Sequence, residues 1–295
     1  MLLLAFADEH DLARKLAAEL RCELALVAEH RFPDGEIKLT LPSPLHGHVV
    51  MLRGLQQPND RLVQLLLAAK TARRLGAQRL TLASPYLAYM RQDIEFHPGE
   101  AISQRIVAGF LGELFDRVLT IDPHLHRIAS LDEVMPGSRG IALSAAPLLG
   151  TWIAAQWPAG AARPLLVGPD EEADQWVRAA GEVTGLQGFV CRKTRRGDRD
   201  VDVELPPIDI TGREIVLIDD VGSTGHTLVQ AARALRARGA AAIDAAVVHA
   251  LFDASAVGRL HAAGIRRVWS TDAVPHDTNI VTVAPLLARA IADGG

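Results

Sequence analysis

The sequence predicts an α/β protein of two similar units, each a mainly parallel sheet flanked by helices. Strand-like and helix-like stretches alternate almost throughout. The strand-like runs are apolar on both faces, as strands buried in a parallel sheet are, and an echo of one helix-strand pair recurs in the second half. At 295 residues the chain is too long for one ordinary small domain and suits two of about 150.

The elements can be justified in order. "MLLLAF" opens the chain without a basic start or a small-residue cleavage site, and it reads as a first strand rather than a signal. "HVVMLRGL", "RLTLASPYL", "RVLTIDPH", "RPLLVGPD", "EIVLIDDV", "AIDAAVVHALF" and "RRVWSTDAV" follow as apolar, β-branched runs. Between them lie amphipathic stretches such as "NDRLVQLLLAAKTARRLGA" and "TLVQAARALRARGA", with apolar residues at helical spacing and ends marked "RLGA" and "ARGA". The strand "RLTLASPYL" follows the first of these ends and "AIDAAVVHALF" the second, which is the internal echo. "MPGSRGIAL", near residue 140, is a Pro/Gly-rich join, so the expected domains are residues 1–144 and 145–295, with a C-terminal helix able to pack back on the first.

Composition narrows the function. The formal net charge of -4 offers no broad surface for nucleic acid, so any anion must be met locally. No segment approaches the length of a membrane span. Cys22 and Cys191 have no metal-ligand spacing and read as reduced thiols of a cytoplasmic protein.

"EIVLIDDVGSTGHTL", residues 214 to 228, concentrates the chemistry. A buried strand ends in Asp219 and Asp220, then Ser223, Thr224, Gly225, His226 and Thr227 turn into a helix. Beyond the carboxyl end of a parallel strand, the first amides of the next helix have no partner and face a ligand, so hydroxyls and amides here form a phosphate cradle beside carboxylates suited to sugar hydroxyls or a hydrated cation. Ser223 or Thr227 could be a simple helix cap, but capping does not account for two carboxylates. Adjacent strand residues point to opposite faces, so the two aspartates are not expected to share a proton.

This loop resembles the ribose-5-phosphate loop shared by type I phosphoribosyltransferases and ribose-phosphate diphosphokinases. Four further stretches, spread over most of the chain and in the same order as in the diphosphokinases, favour the second group, closest to its archaeal-type members. "RFPDGE" resembles their adenine-contacting element, which implies ATP contacts from Phe32, Asp34, Gly35 and Glu36. "YMRQD" resembles a second ATP-contacting segment and implies Arg91 and Gln92. "IDPHLH" and "VGPD" resemble acidic strand ends that organise Mg2+, implying Asp122, His124 and Asp170 as metal residues. In "RKTRRGDRDVDVELP", Lys193 and Arg195 match a catalytic Lys-x-Arg pair. Taken singly, each stretch reads as a turn, a polar loop or a solvated charged run.

The resemblance implies two phosphoribosyltransferase-like domains, the first carrying nucleotide loops and the second the sugar-phosphate loop. It implies transfer of the β,γ-diphosphoryl group of ATP to the 1-hydroxyl of ribose 5-phosphate, held at Asp219, Asp220 and Ser223 to Thr227. A homo-oligomer is implied, with inorganic phosphate as a candidate activator. "RQDIEFHPGEAIS" lacks the Arg-rich segment of many bacterial and eukaryotic members, so ADP feedback is not expected. Gly222 stands where an apolar residue is usual and His226 where glycine is usual. The competing readings are a phosphoribosyltransferase acting on a nucleobase, a non-catalytic regulatory homologue, and a diphosphokinase for a related sugar phosphate.

Overall fold

The computed structural model describes all residues except 126, 129, 159, 196–200 and 294–295, together with the backbone but not the side chains of 193–195 and 201–203. The chain divides into two compact units, Met1–Leu143 with Val283–Gly295, and Ser144–Thr282.

The first unit runs β1 (Leu2–Ala5), α1 (His10–Leu20), β2 (Glu23–Leu26), β3 (Ala28–Arg31), β4 (Ile37–Thr40), β5 (His48–Leu52), α2 (Pro58–Arg74), β6 (Arg79–Ser84), α3 (Ser103–Leu114), β7 (Arg117–Ile121) and β8 (Arg139–Leu143). The second runs α4 (Ala146–Ala155), β9 (Leu165–Gly168), α5 (Asp174–Thr184), β10 (Gly188–Val190), β11 (Arg192–Arg195), β12 (Val201–Glu204), β13 (Glu214–Gly222), α6 (His226–Ala237), β14 (Ala242–Ala250), α7 (Ala256–Ala262), β15 (Ile265–Thr271) and β16 (Asn279–Val281). Helix α8 (Ala284–Ala292) then belongs to the first unit, where it packs on α1 and β7.

Each unit is built on a six-stranded sheet, in the orders β2-β1-β5-β6-β7-β8 and β10-β9-β13-β14-β15-β16. Every pairing in both is parallel. The central strands explain this choice: Leu3, Leu4, Val49, Val50, Leu80 and Leu82 are fully buried, as are Leu166, Val167, Val216, Leu217, Val247 and Val248, so both faces of each sheet need helices over them. The "RLGA" ending also has a steric cause. Gly76 takes φ +110, and a Cβ there would lie 2.5 Å from the Leu45 carbonyl, so α2 can turn into β6 only through glycine.

Both sheets reverse their strand order at the same place, between β1 and β5 in one and between β9 and β13 in the other. Such a reversal opens a crevice at the carboxyl ends of the strands, the usual ligand site of an open α/β sheet. The expected parallel sheets are therefore present, and β13 delivers Asp219 and Asp220 to one of these crevices.

Candidate functional site

In the second unit, β9 and β13 bring three carboxylates to the reversal. Asp170 follows β9 and is buried, its carboxylate accepting the Glu172 amide at 3.1 Å. Asp220 is buried, and its backbone N–H donates to Asp219 Oδ1 at 3.0 Å. The Asp219 carboxyl is raised well above the ordinary range, first by burial, then by the charges of Asp220 and Asp170. The Asp219 side chain folds back onto the following backbone amide at the strand end.

Cys191 closes this corner from behind. Its amide donates to the Gly168 carbonyl at 2.9 Å, and burial, with the charge of Asp170, pushes its thiol up to about 12. It is an inert free thiol, as is the half-buried Cys22 in its own environment.

After β13, residues 223 to 225 turn and α6 begins at His226. Gly225 takes φ +71 at the N-cap and has no side chain with which to satisfy the first helical amides. Thr224 is exposed, Ser223 and Thr227 are half-buried, and the His226 imidazole is exposed while its amide meets Thr224 Oγ1 at 3.4 Å. The open helix end and the hydroxyls thus share one turn, with the carboxylates immediately before it.

The segment behind this turn is a feature that sequence reasoning missed. A Cβ at Gly222 would lie 2.2 Å from the Phe252 ring, so Phe252 fills the space of the apolar side chain that is usual at 222. Phe252 in turn packs edge-on to His276, with ring centroids 5.6 Å apart. From α7, Arg259 Nη2 donates to the Thr224 carbonyl at 2.8 Å and to Asp253 Oδ2 at 2.7 Å. The unusual Gly222 was the only sequence signal for this wall; Arg259 lies 35 residues beyond its carbonyl partner and carries none.

In the first unit, β3 and β4 form an antiparallel hairpin whose tip is Phe32 to Glu36. The Phe32 amide donates to the Glu36 carbonyl at 2.8 Å, the Gly35 amide to the Phe32 carbonyl at 3.0 Å, and the Glu36 amide to Asp34 Oδ1 at 3.1 Å. Gly35 takes φ +94 to close the tip. The whole tip is exposed, including Phe32 at 39%, which packs against His30 rather than in a core. Arg31 reaches Asp60 at 3.1 Å and Gln64 Nε2 donates to Glu29 Oε2 at 2.5 Å, so α2 holds the hairpin root.

Arg91 is exposed on the segment after β6, while Gln92 is half-buried and donates to the Ile94 carbonyl at 2.9 Å. Tyr89, two residues before Arg91, takes φ +65, and its hydroxyl donates to Asn59 Oδ1. Asp122, at the end of β7, is buried with φ +37, its amide donating to the Leu143 carbonyl at 2.7 Å; His124 is half-buried. Lys193 and Arg195 lie on β11, in register with Val203 and Val201 of β12, and their side chains lie outside the described residues.

An ion network lies at the reversal in the first sheet. Arg53, after β5, is buried and donates to Asp8 at 2.5 Å and to Gln64, and Arg61 reaches Asp8 at 2.8 Å. Glu9 is buried beside them and accepts the Gly54 amide at 2.6 Å through Oε1, while Oε2 is buried without a hydrogen-bond partner. Burial, only partly offset by Arg53, raises the Glu9 carboxyl to about 7.

Among the described residues no three His, Cys, Asp or Glu side chains converge as a ready-made metal cage. The oxygen donors at the second sheet's reversal nevertheless suit a hard cation: the repulsion that raises Asp219 is the kind a divalent ion relieves, and magnesium commonly uses one or two carboxylates with water and substrate phosphates.

Two parallel six-stranded sheets of one topology, the second ending a strand in paired carboxylates and a Ser-Thr-Gly turn, define a duplicated phosphoribosyltransferase-like α/β protein. Residues 1–114 match the family described as the N-terminal domain of ribose phosphate pyrophosphokinase, and residues 201–291 match the phosphoribosyl synthetase-associated domain. The chain is 37% identical over 292 residues to a ribose-phosphate pyrophosphokinase of Methanopyrus kandleri, covering 99% of this chain and 98% of the relative. It is 33% identical over 283 residues to one of Methanosarcina acetivorans, covering 95% of each. The crystal structure of phosphoribosylpyrophosphate synthetase from Mycobacterium smegmatis superposes with a TM-score of 0.83 at 26% identity, covering 100% of this chain and 99% of that one. The chain belongs to the ribose-phosphate pyrophosphokinase family.

Proposed function

We propose that this protein is a ribose-phosphate diphosphokinase that transfers the β,γ-diphosphoryl group of ATP to the 1-hydroxyl of ribose 5-phosphate. The bond between the α-phosphorus bridge oxygen and the β-phosphorus breaks, the 1-oxygen bonds to that phosphorus and loses its proton, and AMP leaves with the bridge oxygen. The observation that carries this reading is identity to named pyrophosphokinases along essentially the whole chain rather than at one motif.

Phosphoryl transfer needs alignment and charge neutralisation more than covalent help. Ser223 to Thr227 hold the 5-phosphate through hydroxyls and the amides of the first turn of α6, which the N-cap glycine does not cap. Asp219 and Asp220 hold the ribose hydroxyls, their carboxyl oxygens accepting from the sugar diol. Phe32, Asp34, Gly35 and Glu36 meet adenine, with Arg91 and Gln92 on the nucleotide. Lys193 and Arg195 meet the charge that develops on the migrating group. Asp122 and His124 in the first unit, and Asp170 in the second, are the residues that would hold magnesium, which would offset the charge of the substrate phosphates.

An exposed aromatic at the tip of a two-stranded hairpin is poorly used by an isolated chain, and the protein is accordingly read as a homo-oligomer, at least a dimer. Its two free thiols suit the cytoplasm. No helix among the described residues is long and apolar enough to cross a membrane.

The test is to incubate the protein with ATP, magnesium and a panel of pentose phosphates. AMP and a new diphosphorylated sugar are expected with ribose 5-phosphate. AMP formation with none of the panel would overturn the reading, and a preference for another pentose phosphate would trace to the altered wall at Gly222 and Phe252.

A further inference from the structure

We propose that Arg259 is a positioning residue for sugar-phosphate binding: by holding the Thr224 carbonyl from behind, it aims the next backbone amide at the ligand. The inference rests on the reading that residues 223 to 227 hold the 5-phosphate.

The geometry runs through one peptide plane. In a trans peptide the carbonyl and the following N–H point in opposite directions. The Thr224 carbonyl accepts from Arg259 Nη2 at 2.8 Å, so it faces α7, and the Gly225 N–H of the same plane faces away from α7. The adjoining residue of α7 backs the same turn, since a Cβ on Gly225 would lie 3.1 Å from Leu260 Cδ2. The ligand side of the loop is therefore the side opposite α7. There the Gly225 amide joins the first amides of α6, for which the N-cap glycine supplies no side-chain acceptor and of which only that of His226 meets Thr224 Oγ1, at 3.4 Å.

Arg259 is itself fixed. Asp253 Oδ2 accepts from Nη2 at 2.7 Å, and Ser255 Oγ accepts from Nη1. Ser255 donates to Asp253 Oδ1 through its amide at 2.8 Å and its hydroxyl at 2.7 Å, closing a ring of hydrogen bonds around the guanidinium. Three acceptors of different chemistry converge on one planar fork, an arrangement that lysine cannot reproduce. An ordinary exposed ion pair contributes little to stability and has no reason to include a loop carbonyl. Without Arg259 the 224–225 peptide is free to rotate, and the loop must order itself each time the phosphate arrives.

Calorimetric titration of the full-length protein with ribose 5-phosphate, and separately with a non-hydrolysable ATP analogue and magnesium, tests this. Arg259→Ala should weaken ribose 5-phosphate by about tenfold or more, the scale of one charge-assisted hydrogen bond, and leave nucleotide affinity and melting temperature unchanged. Arg259→Lys should recover part of the loss, because an ammonium can reach the carbonyl without filling the whole ring. Equal ribose 5-phosphate affinity in parent and Arg259→Ala would overturn the positioning role alone. Parallel losses for both ligands would also overturn it, since that pattern reports general damage. Failure of the parent itself to bind ribose 5-phosphate would remove the phosphate-loop reading, and the role of Arg259 with it.

Discussion

Phe252 decides what residue 222 can be. A methyl added at Gly222 would sit 2.2 Å from the ring, and the ring also packs against His276. Gly222→Ala should therefore destabilise the second unit by roughly 1–3 kcal/mol, the usual cost of overpacking. Denaturant unfolding will show it, and Phe252→Leu added to Gly222→Ala should recover part of the loss. A Gly222→Ala protein as stable as the parent would mean that the ring moves freely. Glu9 is the other residue whose surroundings oppose its ordinary chemistry. Its folded pKa, about 7, lies above the unfolded value of 4.5, so the folded state holds the extra proton. The resulting stability is fully present below pH 4.5 and is lost as pH rises through about 7. Glutamine keeps a neutral group and the acceptor for the Gly54 amide at every pH. Glu9→Gln should thus gain stability relative to the parent as pH is raised from 5 to 8; a difference that does not change with pH would show that Glu9 does not titrate there. Of these two positions, the sequence marks only Gly222, as a departure from a motif. Glu9 looks like a surface residue beside His10 and Asp11, because nothing local reveals that the chain ends of β1 and β5 will bury it.

At the scale of elements, the apolar runs were legible because burial on both faces leaves no alternation to misread: "EIVLIDDV" is β13 and "AIDAAVVHALF" is β14. Short exposed strands were not. All four residues of β3 are exposed, and "AEHR" carries no periodic signal; its pairing depends on the turn that Phe32 to Glu36 make. The Pro/Gly-rich join near residue 140 hides β8, which pairs with β7 as an edge strand of the first sheet. Helix α8 shows what an element can be worth to a unit distant in sequence. It buries Leu287 and Ile291, and Arg117 of β7 donates to the Ala290 carbonyl at 3.0 Å. Two such buried side chains contribute about 3–6 kcal/mol as an upper estimate, close to the whole margin of a small domain. A chain ending before Val283 should show faster hydrogen exchange in α1 and β7, with β13 and β14 still protected. Protection lost equally in both units, or in neither, would contradict this assignment of α8.

At the scale of the molecule, one topology is used twice with opposite outcomes. In the second sheet, the reversal ends in carboxylates and a helix whose N-cap glycine supplies no side-chain cap; in the first, Arg53, Arg61, Asp8, Glu9 and Gln64 form an ion network in the same place, with Glu9 Oε2 left without a hydrogen-bond partner. The echo between "RRLGA" with its strand and "RARGA" with its strand belongs to this duplication, since α2 leads to β6 as α6 leads to β14. The sequence could show the repeat but not the difference, because a salt network across β1, β5 and α2 joins residues more than forty positions apart.

The route of the chain also imposes an order on its making. Synthesis runs from the amino end, and a domain ordinarily settles once its last residue has left the ribosome. Here the second unit, Ser144–Thr282, is an uninterrupted stretch, whereas the first cannot place α8 until residue 283 and beyond have emerged. The half that is translated first is therefore the half completed last. When Thr282 has emerged, the first unit is still unfinished, with the α8-facing surfaces of α1 and β7 uncovered, while the second unit is already able to close around its own core.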